Sequence, residues 1–168
     1  MIRPCTASDV PEIFTIVNDA AQAYKGVIPA DRWHEPYMPL AELQDEIAAG
    51  VKFWGYLENH RLIGVMGMQP VRDVTLIRHA YVVTEKRNHG IGGKLLNHLL
   101  ERIEGKILVG TWQAASWAVR FYQKHGFQMV GTEEKNRLLR TYWQIPLRQI
   151  ETSVVLVCNA PPALSGKG

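Results

Sequence analysis

The sequence predicts an α/β (α+β) fold with a mixed, largely antiparallel sheet of six to seven strands and helices on both faces. Seven short apolar runs have the composition of strands, and segments with helical periodicity separate several of them. One strand, helix and strand follow one another directly around a glycine turn. Because such a unit joins parallel strands through a right-handed crossover, we expect one central parallel pair.

The first half of the chain predicts an edge strand, two helices and a hairpin. Ser8 or Asp9 is positioned to cap the first helix, whose apolar residues recur at helical spacing. Gly50 is positioned to end the second helix. The expected ranges are an edge strand over 2–6, helices over 9–24 and 40–49, and the two strands of the hairpin over 51–57 and 62–68.

The second half predicts a long fourth strand, the glycine turn with its helix, and further alternating elements. Their expected ranges are a strand over 71–83, a helix over 91–104, a strand over 106–111, a helix over 114–125, a strand over 127–132, an irregular excursion over 133–146 and a strand over 150–158. The last strand is apolar in its second half, so at a sheet edge it would favour pairing into a homodimer.

Length and composition indicate one globular domain. The 168 residues are 46% hydrophobic and carry a formal net charge of +3, so nothing points to a nucleic-acid partner. We assign residues 1–158 to a single domain and 159–168 to a flexible C-terminal tail. Two cysteines make no disulfide framework, and neither a signal peptide nor a membrane-spanning run is recognisable. We therefore expect a cytoplasmic protein without membrane association or a bound metal.

The segment after the first helix combines aromatic and ionisable side chains in a stretch that contains three prolines. A substrate pocket needs such a mixture, and a surface loop fixed by its own aromatic residues would show it equally well. The candidate substrate residues are Tyr24, Trp33, His34, Glu35 and Tyr37.

The glycine turn, residues 87–94, lies where the fourth strand passes into a helix. The first N–H groups of a helix have no partner within it, and glycines let a ligand approach them closely. The turn therefore suits a phosphate or pyrophosphate, although glycines in this position also serve close helix–sheet packing. The spacing fits neither the P-loop nor the dinucleotide-binding fingerprint.

Two motifs resemble those of the GNAT acetyltransferase superfamily. The first is Arg87-x-x-Gly90-x-Gly92, between a fourth strand and the next helix, and the second is Ala118-x-x-Phe121-Tyr122-x-Lys124-x-Gly126-Phe127. Together with the element order, the resemblance covers about residues 2–158. It departs from the family pattern at Ser116, where an asparagine is common.

The resemblance implies acetyl-CoA as the acetyl donor. Its pyrophosphate would lie on the backbone of the glycine turn, and its pantetheine arm would pair with the fourth strand where that strand splays from the fifth. A bulge in the fourth strand would free an N–H for the thioester oxygen. The residues implied in binding are Tyr81, Val82, Val83, Arg87, Asn88, His89, Gly90, Ile91, Gly92, Gly93, Lys94, Ser116 and Tyr122.

The resemblance also implies a role for Tyr122, as the acid that protonates the departing thiolate. A base is harder to assign, because Ala80 stands where the family often has a carboxylate. His79 is a candidate base, but strict alternation puts it on the strand face opposite Ala80, which favours a core histidine. A water chain, Glu35 or His34 are the alternatives.

The predicted function is therefore acetyl transfer from acetyl-CoA to a primary amine of a small molecule or peptide, by direct attack on the thioester. The missing carboxylate motivates an alternative, a non-catalytic acyl-CoA-binding or sensing domain. Transfer to a hydroxyl is a third option that the sequence leaves open.

Overall fold

The computed structural model describes residues 1–160. Its seven strands form one sheet in the order β1-β2-β3-β4-β5-β7-β6, in which β4 and β5 are parallel and the remaining neighbours antiparallel. The strands are β1 Ile2–Pro4, β2 Lys52–Glu58, β3 Arg61–Val71, β4 Val74–Val82, β5 Gly105–Trp112, β6 Gln128–Met129 and β7 Ser153–Ala160. This sheet confirms the predicted fold class.

Helices cover both faces of the sheet. They are α1 Val10–Ala20, α2 Leu40–Ala48, α3 Ile91–Leu100, α4 Ser116–Lys124, α5 Thr132–Tyr142 and α6 Leu147–Glu151. Buried side chains of α3 and α4 form one core with the near face of the sheet. On the other face, α1 and α2 pack over one half, and α5 and α6 pack over the other. Within residues 1–160, no helix has the length and apolar character needed to cross a membrane.

The parallel strands β4 and β5 separate partway along their length. Their pairing runs from Val74 opposite Lys106 to Ile77 opposite Val109. Beyond that point β4 continues to Val82 and turns away, while β5 pairs onward with β7 alone. The separation opens a gap in the middle of the sheet, as the family resemblance implied.

A β-bulge in β4 lies beside this gap. Val65 pairs with Tyr81 and Gly67 with Arg78, so two residues, His79 and Ala80, stand opposite one. His79 has φ +55°, which is uncommon for a residue with a side chain. The extra residue shifts the alternation of side chains between the two faces of β4.

The shifted alternation corrects the predicted faces of β4. Ala80 and Val82 pack with Ile77 against the α3 side, whereas Tyr81 packs with the α1–α2 core. His79 stacks on Phe53 of that same α1–α2 core. His79 lies on the face opposite Ala80, as predicted, but it shares its face with Arg78 and not with Ile77, because strict alternation fails at a bulge.

Residues 133–142, predicted as part of an irregular excursion with at most a turn of helix, belong to the three-turn helix α5. Its buried Leu138 and Leu139 contact the sheet core that contains Leu76 and Leu108. The outer face of α5 is polar. Its apolar stripe is short and lies in a charged stretch, so helical periodicity did not reveal the whole helix. Because α5 begins after Gly131, the strand predicted over 127–132 shrinks to β6.

The last strand also differs from its prediction. It begins at Ser153, after α6, and lies between β5 and β6 instead of at an edge. The reason for expecting a homodimer through this strand therefore does not hold. Asn159 and Ala160, assigned to the tail, pair with Lys106 and Gly105. The rest of the predicted tail, 161–168, lies outside the described residues.

An ion pair at the start of α1 should contribute measurably to stability. The Asp9 carboxylate accepts from the two terminal nitrogens of the Arg3 guanidinium at 2.7 and 3.0 Å and from the Thr6 N–H at 2.8 Å. The hydrogen bond from Arg3 is the largest cause that lowers the pKa of Asp9 to about 2. Asp9 is buried while Arg3 is partly exposed, so solvent screens part of the interaction.

We expect Asp9→Asn to lower the free energy of unfolding by about 1–2 kcal/mol at pH 7. The folded-state pKa is depressed, so this contribution is present above the unfolded pKa of about 4 and disappears as pH falls towards about 2. Urea unfolding of both proteins at neutral and acidic pH measures it. A difference that does not depend on pH would contradict this account.

Candidate active site

A cavity of about 700 Å³ lies where the N-terminus of α3 faces β4 and α4. We call it the larger cavity. Lys86, Arg87, Lys94 and Lys124 contribute four basic side chains to its wall. Their charge and the N-terminal dipole of α3 favour a phosphate-bearing ligand.

The glycine turn provides the backbone donors of the larger cavity. Gly90 precedes α3 with φ +74°, a left-handed conformation that favours glycine. The first hydrogen bond of the helix runs from the Lys94 N–H to the Gly90 carbonyl at 3.1 Å. The N–H groups of Ile91, Gly92 and Gly93 come before it, without a helical acceptor, and all three residues line the cavity.

The same glycines also serve packing. A Cβ on Gly92 would stand 3.5 Å from the Phe121 ring, and one on Gly93 would stand 3.0 Å from the His125 Nε2. The glycine turn therefore has two effects. It lets α3 pack closely against α4, and it leaves the first N–H groups of α3 without a helical acceptor. The packing role of the motif is thus visible in the structure, and the phosphate-binding role stays a prediction.

Most of the residues implied in cofactor binding meet in this cavity. Those on its wall are Tyr81, Val82, Arg87, Asn88, Gly90, Ile91, Gly92, Gly93, Lys94 and Tyr122. His89 and Ser116 are exposed outside it, and Val83 packs into the core beside β3. Three further residues of the wall, Lys86, Trp117 and His125, were not predicted from the sequence. Lys124 also lines the cavity and belongs to the second motif, but it was not assigned to cofactor binding.

Tyr122 lies on α4 with its ring between Phe121 and Phe127, at centroid distances of 5.0 and 5.5 Å. The side chain is buried but lines the larger cavity. Burial raises the pKa of the Tyr122 hydroxyl, and the nearby Tyr24 adds to the effect. The phenol is therefore protonated at neutral pH and can donate a proton or hydrogen bond.

A smaller cavity, of about 120 Å³, opens where β4 and β5 separate, on the face covered by α5. Its wall is largely aromatic and comprises Tyr24, Tyr37, Ile77, Arg78, His79, Tyr81, Gly110, Thr111, Trp112, Leu139, Trp143, Ile145, Gln149 and Ser153. Tyr24 and Tyr81 line the larger cavity as well. The two cavities therefore adjoin through the gap in the sheet.

The loop after α1 contributes only part of what was predicted. The Trp112 indole N–H donates to the Tyr37 hydroxyl at 2.8 Å, and the Asn18 amide holds the backbone of Met38 at 2.8 and 3.0 Å. Tyr24 and Tyr37 line the smaller cavity.

The other predicted substrate residues lie elsewhere. Trp33 stacks on Tyr37 from outside the cavity wall. His34 and Glu35 are exposed, and Glu35 pairs with Lys25 at 3.4 Å. Part of this loop therefore lines a cavity and part lies at the surface, and its role in substrate binding stays a prediction.

His79 is close to a carboxylate that sequence reasoning missed. Its Nε2 lies 2.5 Å from one oxygen of Glu46 on α2, and the other oxygen of Glu46 lies 2.6 Å from the Arg78 guanidinium. Burial tends to raise the pKa of Glu46, but the contact with His79 and the charges of His79 and Arg78 outweigh it and lower that pKa. Nothing in the sequence of α2 marks Glu46, because the contact depends on the bulge.

No group of three or more His, Cys, Asp and Glu side chains among residues 1–160 is arranged to hold a metal ion. The polar groups that line the two cavities include the backbone N–H groups of the glycine turn, tyrosine hydroxyls and the imidazole of His79.

The family profile described as "Acetyltransferase (GNAT) domain" matches residues 18–142. A curated relative, the peptidyl-lysine N-acetyltransferase YiaC of Escherichia coli (strain K12), is 25% identical over 130 residues, or 77% of this chain and 84% of the relative.

Solved structures share the fold over nearly the whole length. The PaiA N-acetyltransferase of Thermoplasma acidophilum in complex with coenzyme A has a TM-score of 0.72 at 16% identity, with 95% of this chain and 98% of that chain covered. A GNAT family acetyltransferase of Elizabethkingia anophelis with acetyl-CoA bound has a TM-score of 0.65 at 23% identity, with 95% and 97% covered.

Proposed function

Because this chain belongs to the GNAT acetyltransferase family, we propose that it transfers the acetyl group of acetyl-CoA to a primary amine by direct attack on the thioester. One observation carries the proposal. A cavity with free helix N-terminal donors and a second, aromatic cavity meet at Tyr24 and Tyr81, in a gap between parallel strands. Donor and acceptor can thus approach each other from opposite faces of the sheet.

The larger cavity takes acetyl-CoA in this proposal. The N–H groups of Ile91, Gly92 and Gly93 bind the pyrophosphate, with Arg87 and Lys124 supplying charge at the wall. The unpaired edge of β4 at Val82 is available to the backbone-like amides of the pantetheine arm. The bulge at His79 and Ala80 interrupts the β3–β4 ladder where a freed N–H can stabilise the oxyanion.

Tyr122 acts on the leaving group. As the amine nitrogen bonds to the acetyl carbon and the C–S bond breaks, the Tyr122 hydroxyl gives its proton to the sulfur. Its raised pKa keeps the hydroxyl protonated until that step. The amine loses one proton during the transfer. The imidazole of His79, on the wall of the smaller cavity, is a candidate to accept that proton.

The smaller cavity takes the acceptor. A volume of about 120 Å³ between aromatic rings suits a narrow, unbranched aminoalkyl chain, whether of a small molecule or of a lysine side chain. The curated relative is a peptidyl-lysine acetyltransferase, which supports a peptide amine as one acceptor to test.

Incubation with acetyl-CoA and a panel of amines tests the proposal, with small alkylamines, polyamines and lysine-containing peptides as acceptors. We expect thiol release that depends on the amine and an N-acetylated product identified by mass spectrometry. Binding of acetyl-CoA without turnover on any amine would contradict acetyl transfer and favour a binding or sensing role.

A further inference from the structure

Glu46 of α2 and His79 of β4 form a mostly buried pair, with side-chain exposures of 16% and 14%, and His79 lines the smaller cavity. We infer that this pair is the proton acceptor of the transfer, with the His79 imidazole as catalytic base and Glu46 as its positioning residue. The inference rests on the acetyl transfer proposed above. A histidine of β4 and a glutamate of α2 would then together serve as the base, in place of the single carboxylate that the family often has on the fourth strand.

The bulge in β4 places the imidazole where the acceptor enters. With regular alternation, Arg78 and His79 would lie on opposite faces of the sheet, and His79 would lie on the α3 face. The extra residue instead keeps Arg78 and His79 on the same face, and both line the smaller cavity. The left-handed backbone of His79 is uncommon outside glycine, and it occurs here at the edge of the gap between β4 and β5.

The contact with Glu46 decides which imidazole nitrogen is free. The His79 Nε2 and the nearer Glu46 oxygen are both fully buried and 2.5 Å apart, although the contact is poorly directed for a hydrogen bond. It is attractive only if Nε2 carries a proton. In the neutral ring the lone pair is then on Nδ1, which has no protein hydrogen-bond partner within residues 1–160 and is not fully buried.

Arg78 fixes the carboxylate of this pair. Its guanidinium contacts the second Glu46 oxygen at 2.6 Å and the Gln69 side-chain oxygen at 3.1 Å. Glu46 therefore stays ionised between two cationic partners and cannot rotate away from the imidazole without losing both. An ionised, fixed carboxylate favours the protonated ring that forms when His79 accepts a proton.

The remaining groups around the pair are few. Glu42, one turn earlier on α2, is the other nearby carboxylate, and burial together with the charge of Glu46 raises its pKa. Tyr81 of β4 and Phe53 of β2 both stack on the imidazole. Tyr24 and Tyr37 complete the smaller cavity from the loop after α1.

The proposed step balances without any further reactant. The His79 Nδ1 takes one proton from the acceptor nitrogen as the N–C bond forms, and the C–S bond breaks with the proton of Tyr122 passing to sulfur. The imidazolium then loses its proton to solvent, and the tyrosinate regains one. Glu46 keeps its charge throughout.

The variants His79→Gln and Glu46→Gln test the inference, with Glu42→Gln as a matched control that removes the same charge without touching the imidazole. We expect His79→Gln to lower kcat for an alkylamine by about 10²–10⁴-fold. Glu46→Gln should lower it by at least about 10-fold. Glu42→Gln should retain most activity. Acetyl-CoA affinity should stay close to that of the natural protein. The melting temperature of Glu46→Gln should fall, because Arg78 loses its carboxylate partner, so circular dichroism must verify that each variant is folded at the assay temperature.

Two readouts separate a base from a structural residue. In Glu46→Gln the loss should fall on kcat while KM for acetyl-CoA stays near its natural value, because Glu46 contacts the imidazole and does not line the larger cavity. With hydrazine, whose conjugate acid is a stronger acid than an alkylammonium and so loses its proton more readily without a base, the deficit of His79→Gln should be smaller than with an alkylamine. A merely structural defect would lower both rates alike.

The outcomes are distinguishable. Natural-level kcat in His79→Gln, or equal deficits with both nucleophiles, would overturn the inference while leaving acetyl transfer standing. Absence of turnover in the natural protein on every amine would overturn acetyl transfer itself, and this inference with it.

Discussion

Replacing Tyr122 with phenylalanine should lower kcat by about 10²–10⁴-fold, while acetyl-CoA still binds with nearly its natural affinity. The substitution removes one hydroxyl from a side chain packed between Phe121 and Phe127, so the shape of the core is kept. What is lost is the proton that the departing thiolate takes. Steady-state kinetics and calorimetric titration with acetyl-CoA measure the two quantities separately.

Tyr56→Phe provides a matched control for Tyr122→Phe, since Tyr56 lies on β2 outside the wall of both cavities and close to Lys94. It should leave kcat nearly unchanged. If Tyr122→Phe kept full kcat, the sulfur would have to take its proton from another source, and the role of Tyr122 would be wrong.

Replacing Gly92 with glutamate should weaken acetyl-CoA binding by at least about 100-fold, which corresponds to about 2.7 kcal/mol. Gly92 is the second residue of α3 and lies on the wall of the larger cavity. A glutamate there adds both bulk and negative charge beside the donors proposed to bind the pyrophosphate. The Cβ itself would meet Phe121 at 3.5 Å, an ordinary contact, so the fold should survive.

Gly131→Glu makes the same chemical change at the N-terminus of α5, where a Cβ would meet nothing within 4 Å. Binding of acetyl-CoA should be unaffected in that variant. Titration of both variants with acetyl-CoA measures their affinities, and circular dichroism verifies that both are folded. Equal affinity of the folded Gly92→Glu protein and the natural one would show that the pyrophosphate binds elsewhere.

The features that could be predicted from sequence are those encoded locally. The glycine turn before α3 was recognisable because the chemistry of a helix N-terminus depends on adjacent residues, here Gly90, Gly92 and Gly93. The parallel pair of β4 and β5 followed from the order strand, helix, strand. Tyr122 was found through a motif, and it lies on the cavity wall that the motif implied.

The features that were missed depend on tertiary pairing. One additional residue in β4, opposite a single residue of β3, reverses the faces of all later side chains, and no local signal at His79 announces it. Glu46 becomes significant only through its contact with β4, more than thirty positions away in the chain. Likewise, the position of β7 inside the sheet depends on its pairing with β6, and the strand predicted over 127–132 carries no local signal of which strand it pairs with.

A crystal structure with a bisubstrate conjugate, in which CoA is joined to the best amine of the panel, tests the central claim most directly. We expect the pyrophosphate on the N–H groups of Ile91 to Gly93, the sulfur within hydrogen-bond reach of the Tyr122 hydroxyl, and the amine in the smaller cavity facing the His79 Nδ1. A conjugate whose amine leaves the protein on the face of α3, without entering the gap between β4 and β5, would contradict it.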